Sequence, residues 1–289
     1  MKKLIIGTAQ LVRQYGISNY SKKKSSKNIF KFLEFCLKNS INSFDTASDY
    51  GSEKIIGKFI KSNKVKKIFL STKIDSLKNL NYFKKFDYIK YSLEKSLKTL
   101  NVESLDTVYF HDENDSIFFN SNSYKINEIF KSYKINNLGF SVYSKKVFKR
   151  LNNNIYVNSL QVPVNILNDE FSKIYSEKKI IARSIFLQGL LINSKIKTKK
   201  TFLKKFNEKL MKLATENNID LYSLCLNYVL KKRNLFKVIV GIDNIAQIKS
   251  LLNSKNNRFK INKINKINKL INSMIDNENY SQIIDPRKW

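Results

Sequence analysis

The sequence predicts a closed (β/α)8 barrel, and three observations carry that prediction. Short β-branched or aromatic runs alternate along the chain with longer segments of helical period, the pattern of a parallel sheet with crossover helices. Eight such units can be counted, and no strong linker divides them, which favours a closed barrel over an open doubly wound sheet. The length of 289 residues fits one α/β barrel of about 250 residues.

In chain order, the strands are expected at Leu4–Thr8, Ile41–Thr46, Lys67–Lys73, Ser104–His111, Ile135–Val142, Val157–Val162, Ile180–Phe186 and Lys237–Gly241. Between them Ile29, Phe32, Leu33, Cys36 and Leu37 recur at three-to-four spacing, as do Ile89, Leu93, Leu97 and Leu100, and then Phe202, Phe206, Leu210 and Leu213. Each set is a helix with one face on a sheet. The gap from Leu187 to about Thr201 is long for such a barrel, and loops of that kind at strand C-terminal ends commonly cover a ligand. Beyond Leu252 the chain becomes low in complexity, with Ile261, Ile264 and Ile267 separated by Asn-Lys pairs. Residues 1–289 are thus expected as a single barrel, with 253–289 as a C-terminal helical extension.

Apolar residues make up 42% and aromatics 12%, enough to build a core and to exclude a disordered chain. With 7 glycines and 2 prolines, collagen-like and flexible-linker classes are excluded too. The net charge of +31 would by itself announce a polyanion partner. Nearly all of it is lysine, however; arginine occurs only at 13, 150, 183, 233, 258 and 287. Arginine is the preferred residue for bidentate phosphate and guanine contacts, so its scarcity reads as compositional bias, and no specific nucleic-acid partner is expected. Cys36 and Cys225 sit in apolar helical patterns away from other metal-type ligands, which reads as buried, reduced thiols and no metal site. The run Leu4-Ile5-Ile6 is broken by Gln10 and Arg13, and no secretory or spanning segment follows. A cytoplasmic location without a membrane partner is expected.

Reactive groups of a barrel gather at the C-terminal ends of its strands. There the second strand ends in Phe44-Asp45-Thr46-Ala47 and runs into Asp49-Tyr50-Gly51-Ser52-Glu53, the third ends in Ser71-Thr72-Lys73, and the fourth in Phe110-His111. Asp45, Lys73 and His111 are expected in one mouth, with Tyr50 on the adjoining loop. An ammonium at about 4 Å from a phenolate attracts it by ~4 kcal/mol at an effective dielectric near 20. Lys73 is therefore expected to lower the Tyr50 phenol from its usual pKa of ~10 toward neutrality, with Asp45 holding the lysine charged. Taken separately, Asp45 and Lys73 also suit a structural ion pair, and His111, the single histidine, a satisfied core residue. Convergence of all four at one mouth favours chemistry.

These residues resemble the aldo-keto reductase family, over about Leu4 to Leu252. The resemblance runs through Gly7-Thr8-Ala9, Ser43-Phe44-Asp45-Thr46-Ala47-Ser48-Asp49-Tyr50-Gly51, Ser52-Glu53-Lys54-Ile55-Ile56-Gly57, then Lys73 and His111. It implies a bacterial NAD(P)H-dependent oxidoreductase. Tyr50 would give a proton to a substrate carbonyl while hydride arrives from the nicotinamide, Lys73 and Asp45 would tune the phenol, and His111 would orient the carbonyl oxygen. The cofactor would lie extended across the barrel mouth, on Gly7 and Thr8 with Asp45 beneath. Ser141 and Gln161 would hold the nicotinamide carboxamide. Arg183, Ser184, Leu187 and Gly189 would serve the nicotinamide face and pyrophosphate, and Gly241, Asp243 and Gln247 the adenosine end. No Gly-x-Gly-x-x-Gly or P-loop occurs, in keeping with that extended pose.

Several positions depart from the family pattern. Val142 stands where many members have Asn, and Arg183 where many have an aromatic that stacks on the nicotinamide. Gln247 stands where some use Arg against a 2′-phosphate, which nearby Asp243 would repel. The resemblance implies NADP(H) in preference to NAD(H). The runs Gly7-Thr8-Ala9-Gln10-Leu11, Tyr15-Gly16-Ile17 and Gln161-Val162-Pro163-Val164-Asn165-Ile166-Leu167 are similar to bacterial members associated with surface-polysaccharide sugars. The expected partner is a small-molecule carbonyl substrate, an aldehyde, ketone, sugar or nucleotide sugar. The alternative is a cofactor-binding regulatory or sensor subunit with little turnover.

Overall fold

The computed structural model describes residues 3–17, 24–65, 67–242, 244–254, 261–275 and 277–289. Eight parallel strands close in chain order into a barrel: β1 (Leu4–Gly7), β2 (Ser43–Asp45), β3 (Phe69–Ile74), β4 (Thr107–Phe110), β5 (Leu138–Ser141), β6 (Ser159–Pro163), β7 (Lys179–Arg183) and β8 (Lys237–Gly241). The helices are α1 (Ala9–Val12), α2 (Ser26–Lys38), α3 (Ser52–Asn63), α4 (Tyr82–Leu100), α5 (Ser116–Ser132), α6 (Lys145–Asn152), α7 (Thr201–Glu216), α8 (Leu221–Leu230), α9 (Ile245–Ser254), α10 (Ile261–Ser273) and α11 (Asn277–Ile283).

The two-residue strand period sorts the side chains into two layers. Ile6, Phe44, Leu70, Val108, Phe110, Phe140, Leu160, Val162, Ala182 and Val240 are buried in the main core with the helix stripes Ile29/Phe32/Leu33/Cys36 and Ile89/Leu93/Leu100. The alternate residues are small or polar, and the register sets them side by side: Gly7 with Asp45, Asp45 with Ser71, Tyr109 with Gly139, and Ser141 with Gln161. Gly139 makes room for this inner layer, because a Cβ there would lie 2.5 Å from the Tyr109 ring and 2.6 Å from the Ser159 carbonyl oxygen. Below, Ile5, Ile181 and Ile239 form a small apolar plug of their own. Both cysteines are buried free thiols, pushed by burial up to about 12.

All eight expected strands occur, mostly with shorter ends, and the local causes are visible. The seventh ends at Arg183 rather than Phe186 because Ser184 turns to φ 57° and leaves the extended region. The fourth starts at Thr107 because the Asp106 carboxylate, not its backbone, meets the Leu70 N–H at 2.9 Å. The alternation of one helix per strand is not uniform either. Between β6 and β7 there is only a 3-10 turn at Glu170–Lys173, while α7 and α8 both lie between β7 and β8.

Among the described residues the C-terminal segment carries α10 and α11, and it does more than trail behind the barrel. Its isoleucines Ile264, Ile267, Ile271 and Ile275 are all buried, so the Ile-Asn-Lys repeat is one apolar helix stripe. Asn268 and Tyr280 donate to the carbonyl oxygens of Ile166 and Leu167, fastening α10 and α11 to the loop after β6. The chain then turns through Pro286–Lys288 toward the barrel mouth. No helix among the described residues is long and apolar enough to cross a membrane.

Candidate active site

The inner polar layer opens at the strand C-terminal ends into a cleft of about 570 Å³. Its floor carries a buried ion pair. Lys73 of β3 donates from Nζ to Asp45 Oδ2 at 2.6 Å and to the Thr46 carbonyl oxygen at 2.7 Å. Asp45 Oδ1 accepts from Ser71 Oγ at 2.9 Å and Gln161 Nε2 at 2.6 Å, so three of the roughly four acceptor sites on the carboxylate are filled. A charge pair this dry persists only when hydrogen-bonded in this manner.

Above it, the 3-10 turn Ser48–Tyr50 delivers the Tyr50 ring into the cleft. The Lys73 ammonium lies 5.1 Å from the ring centroid, the Arg13 guanidinium 4.6 Å, and the His111 ring meets it edge-on at 6.2 Å between centroids. Burial, joined by Asp45 and Asp49, raises the Tyr50 phenol above its ordinary value, outweighing Arg183 and Arg13. This corrects the expected depression by Lys73, whose ammonium is already engaged by Asp45 and Thr46.

His111 sits just past β4, and burial, then Lys73, push its imidazole below the usual 6.5. Its neutral form therefore prevails at pH 7. Asp49 and Asp75 approach it, one ligand atom of each of the three residues lying within 4.8 Å of the others; Asp49 also faces Arg13 at 3.4 Å, and Asp75 accepts from Ser48. Because this is the single histidine, its proton NMR signal is identifiable without mutagenesis. It should titrate below about 6.5, and Lys73→Met should raise the midpoint. The unfolded chain binds this proton first, so stability should fall as pH drops below about 6.5. A midpoint above 7 would contradict the neutral imidazole.

The structure brings together most of the sequence-expected positions. Gly7, Thr8, Asp45, Tyr50, Lys73, His111, Ser141, Gln161, Arg183, Ser184, Gly189, Gly241 and Gln247 all line the cleft. Leu187 does not; its side chain is fully buried in the core. Asp243 lies outside the described residues. Thr8 is largely engaged in structure, its hydroxyl donating to the Asp45 carbonyl oxygen at 3.0 Å and meeting Ser52 Oγ at 2.9 Å. Glu53 takes hydrogen bonds from Thr72 and Ser96, tying α3 to β3 and α4.

Further residues line the cleft. Gln188 belongs to the run from Ala182 to Gly189 that resembles a cofactor-binding segment, and Ile192 and Asn193 come from the long loop after it, whose length suggested a ligand cover without marking either residue. Tyr15 lines it too, its loop clamped where the Ile17 N–H donates to the Gln188 carbonyl oxygen. Gly16 permits this approach, with φ 86° and a would-be Cβ only 2.4 Å from that same oxygen. Tyr143, Glu113 and, from the C-terminal turn, Arg287 complete the wall.

One atom speaks to a bound cofactor. Gln161 must turn its amide nitrogen to the Asp45 carboxylate, which leaves its buried Oε1 as an acceptor with no partner among the described residues. A carboxamide N–H fits that vacancy of bonding, beside Ser141.

The aldo/keto reductase family profile matches residues 3–272. The chain belongs to the aldo-keto reductase family, NAD(P)H-dependent oxidoreductases that act on small-molecule carbonyl compounds. No curated protein matches the sequence. Among solved structures, a glycerol dehydrogenase from Gluconobacter oxydans is similar at 18% identity, covering 95% of this chain and 94% of its own, with a TM-score of 0.68. A thermostable aldo-keto reductase, Tm1743, solved with the inhibitor epalrestat, is similar at 19% identity, covering 94% of each chain, also at 0.68. At such identity these two speak to the fold alone.

Proposed function

We propose that this protein reduces the carbonyl of an aldehyde, ketone or sugar with Tyr50 as proton donor, using NADP(H) in preference to NAD(H). The observation that carries this reading is the meeting of Tyr50, neutral His111 and the buried Asp45–Lys73 pair in one cleft. A nicotinamide, when bound, would supply hydride to the carbonyl carbon. Gln161 Oε1 and Ser141 would hold its carboxamide, Gly7 and Gly241 would floor the cleft beside it, Ser184 and Gly189 would line its path, and Gln247 would mark the adenosine end. Exposed Lys249 on α9 favours the extra phosphate of NADP(H).

His111, uncharged, directs an N–H at the carbonyl oxygen and fixes its position. Tyr50 gives that oxygen its proton as negative charge develops there. Because its phenol is raised, Tyr50 is fully loaded with that proton at neutral pH. Lys73, held charged by Asp45 with its ammonium 5.1 Å from the Tyr50 ring centroid, would offset part of the charge on the phenolate left behind. The test is loss of nicotinamide absorbance when NADPH, protein and a panel of aldehydes and sugars are mixed. Carbonyl-dependent oxidation supports the reading; tight NADPH binding with no turnover would favour a regulatory subunit.

A further inference from the structure

The cleft wall holds a cation that the proton-transfer machinery does not use. In a chain that writes nearly every positive charge as lysine, three of six arginines gather at this one site: Arg183 and Arg287 line the cleft, and Arg13 packs on Tyr50. Their ion-pair partners differ. Arg287 is balanced by Asp285 at 2.7 Å and Glu113 at 3.4 Å. Arg13 faces Asp49 at 3.4 Å. Arg183 faces no carboxylate among the described residues. Its Nη atoms reach only Ser184 Oγ and the Val142 carbonyl oxygen, both at 3.4 Å, and its buried Nε has no partner.

The guanidinium is nevertheless held in place. It lies 4.0 Å from the centroid of the Tyr143 ring, which also carries the Arg287 guanidinium at 3.6 Å. Tyr143 is itself anchored, since its N–H and that of Ser144 donate to Glu113 Oε2 at 2.8 and 2.7 Å. A planar cation stacked on an aromatic, with unfilled donors in a fork, is a receptor for a planar or tetrahedral anion. Arg183 and Tyr50 line the same cleft, so the receptor shares its cavity with the proton donor.

Resting on the carbonyl-reductase reading above, we propose that the substrate carries an anionic group, carboxylate or phosphate, close to its carbonyl, and that Arg183 receives that group from the Tyr143 platform. Lysine would not serve equally, because it lacks both the fork and the flat face that stacks.

The test uses the full chain with NADPH and paired carbonyls: 4-carboxybenzaldehyde against 4-formylbenzamide for the carboxylate, and glyceraldehyde 3-phosphate against glyceraldehyde for the phosphate. A charged hydrogen bond should give the anionic member of at least one pair about 10- to 100-fold higher kcat/KM, mostly through KM. Arg183→Gln should erase that ratio and Arg183→Lys should restore only part of it. The pair that shows the ratio identifies which anion the receptor takes. Terephthalate binding to the NADP+ complex, followed by calorimetry, gives a readout free of turnover. If binding is lost in Arg183→Gln, the receptor stands even where no aldehyde is reduced and the reductase reading fails. Equal kcat/KM within both pairs would overturn the proposal while leaving the reductase reading intact. So would an Arg183→Gln variant that weakens NADPH affinity but keeps the anion preference, since Arg183 would then belong to the cofactor.

Discussion

Tyr50→Phe lowers the rate of carbonyl reduction by about 10²–10⁴-fold, the contribution of a positioned general acid. The substitution keeps the ring that meets His111 edge-on and packs beneath Arg13. It removes only the hydroxyl, so NADPH affinity, read by fluorescence titration, should change by less than about threefold, or ~0.6 kcal/mol. The loss should fall on kcat and kcat/KM alike, the mark of an interaction made in the transition state. A raised phenol also implies that no group in the wild-type profile titrates as Tyr50 near neutrality; the acidic limb belongs to His111 and lies below about 6.5. A Tyr50→Phe protein that reduces substrate at wild-type rate would show that the proton comes from elsewhere.

Asp45→Ala should unfold more easily by about 3–5 kcal/mol, because it strands the Lys73 ammonium in a site where that residue is only 3% exposed. The same change removes the acceptor that orients Gln161 and Ser71, so the inner polar layer loses its centre. Replacing both members, Asp45→Leu with Lys73→Met, should recover much of the stability, since no buried charge is then left unpaired, yet leave reduction impaired. Urea unfolding midpoints of the three proteins separate the cases. A loss below about 1 kcal/mol in Asp45→Ala, the range of an exposed pair, would mean that water reaches the floor of the cleft.

Much of this site was legible in the sequence for a plain reason. Strand ends in a barrel converge, so Asp45, Lys73 and His111 needed only correctly placed strands to be brought to one mouth. The strand ends themselves were less legible, since they depend on local events such as the left-handed turn at Ser184 and the Asp106 side chain standing in for a backbone partner. The direction of the Tyr50 shift is not legible in the sequence, because charge pairs can be counted there while burial cannot. The motif around Leu187 points to the cofactor, but residue type gives no sign that the turn at Leu187–Gly189 buries this side chain in the core. Arg287 was hidden for a different reason. It follows a repetitive segment whose isoleucine stripe becomes informative only once packed on the loop after β6, and the scarcity of arginine fits compositional bias as readily as it marks the few places that retain it.

The most direct test of the central claim, carbonyl reduction by hydride transfer at this cleft, is isotope tracing with wild-type protein. NADPH deuterated at the nicotinamide C4 position on either face is supplied with 4-carboxybenzaldehyde, and the alcohol is examined by mass spectrometry. One face should deliver its deuterium to the carbinol carbon, with one alcohol formed per cofactor oxidised. Cofactor that binds and stays reduced, or an alcohol that carries no label from either face, would contradict it.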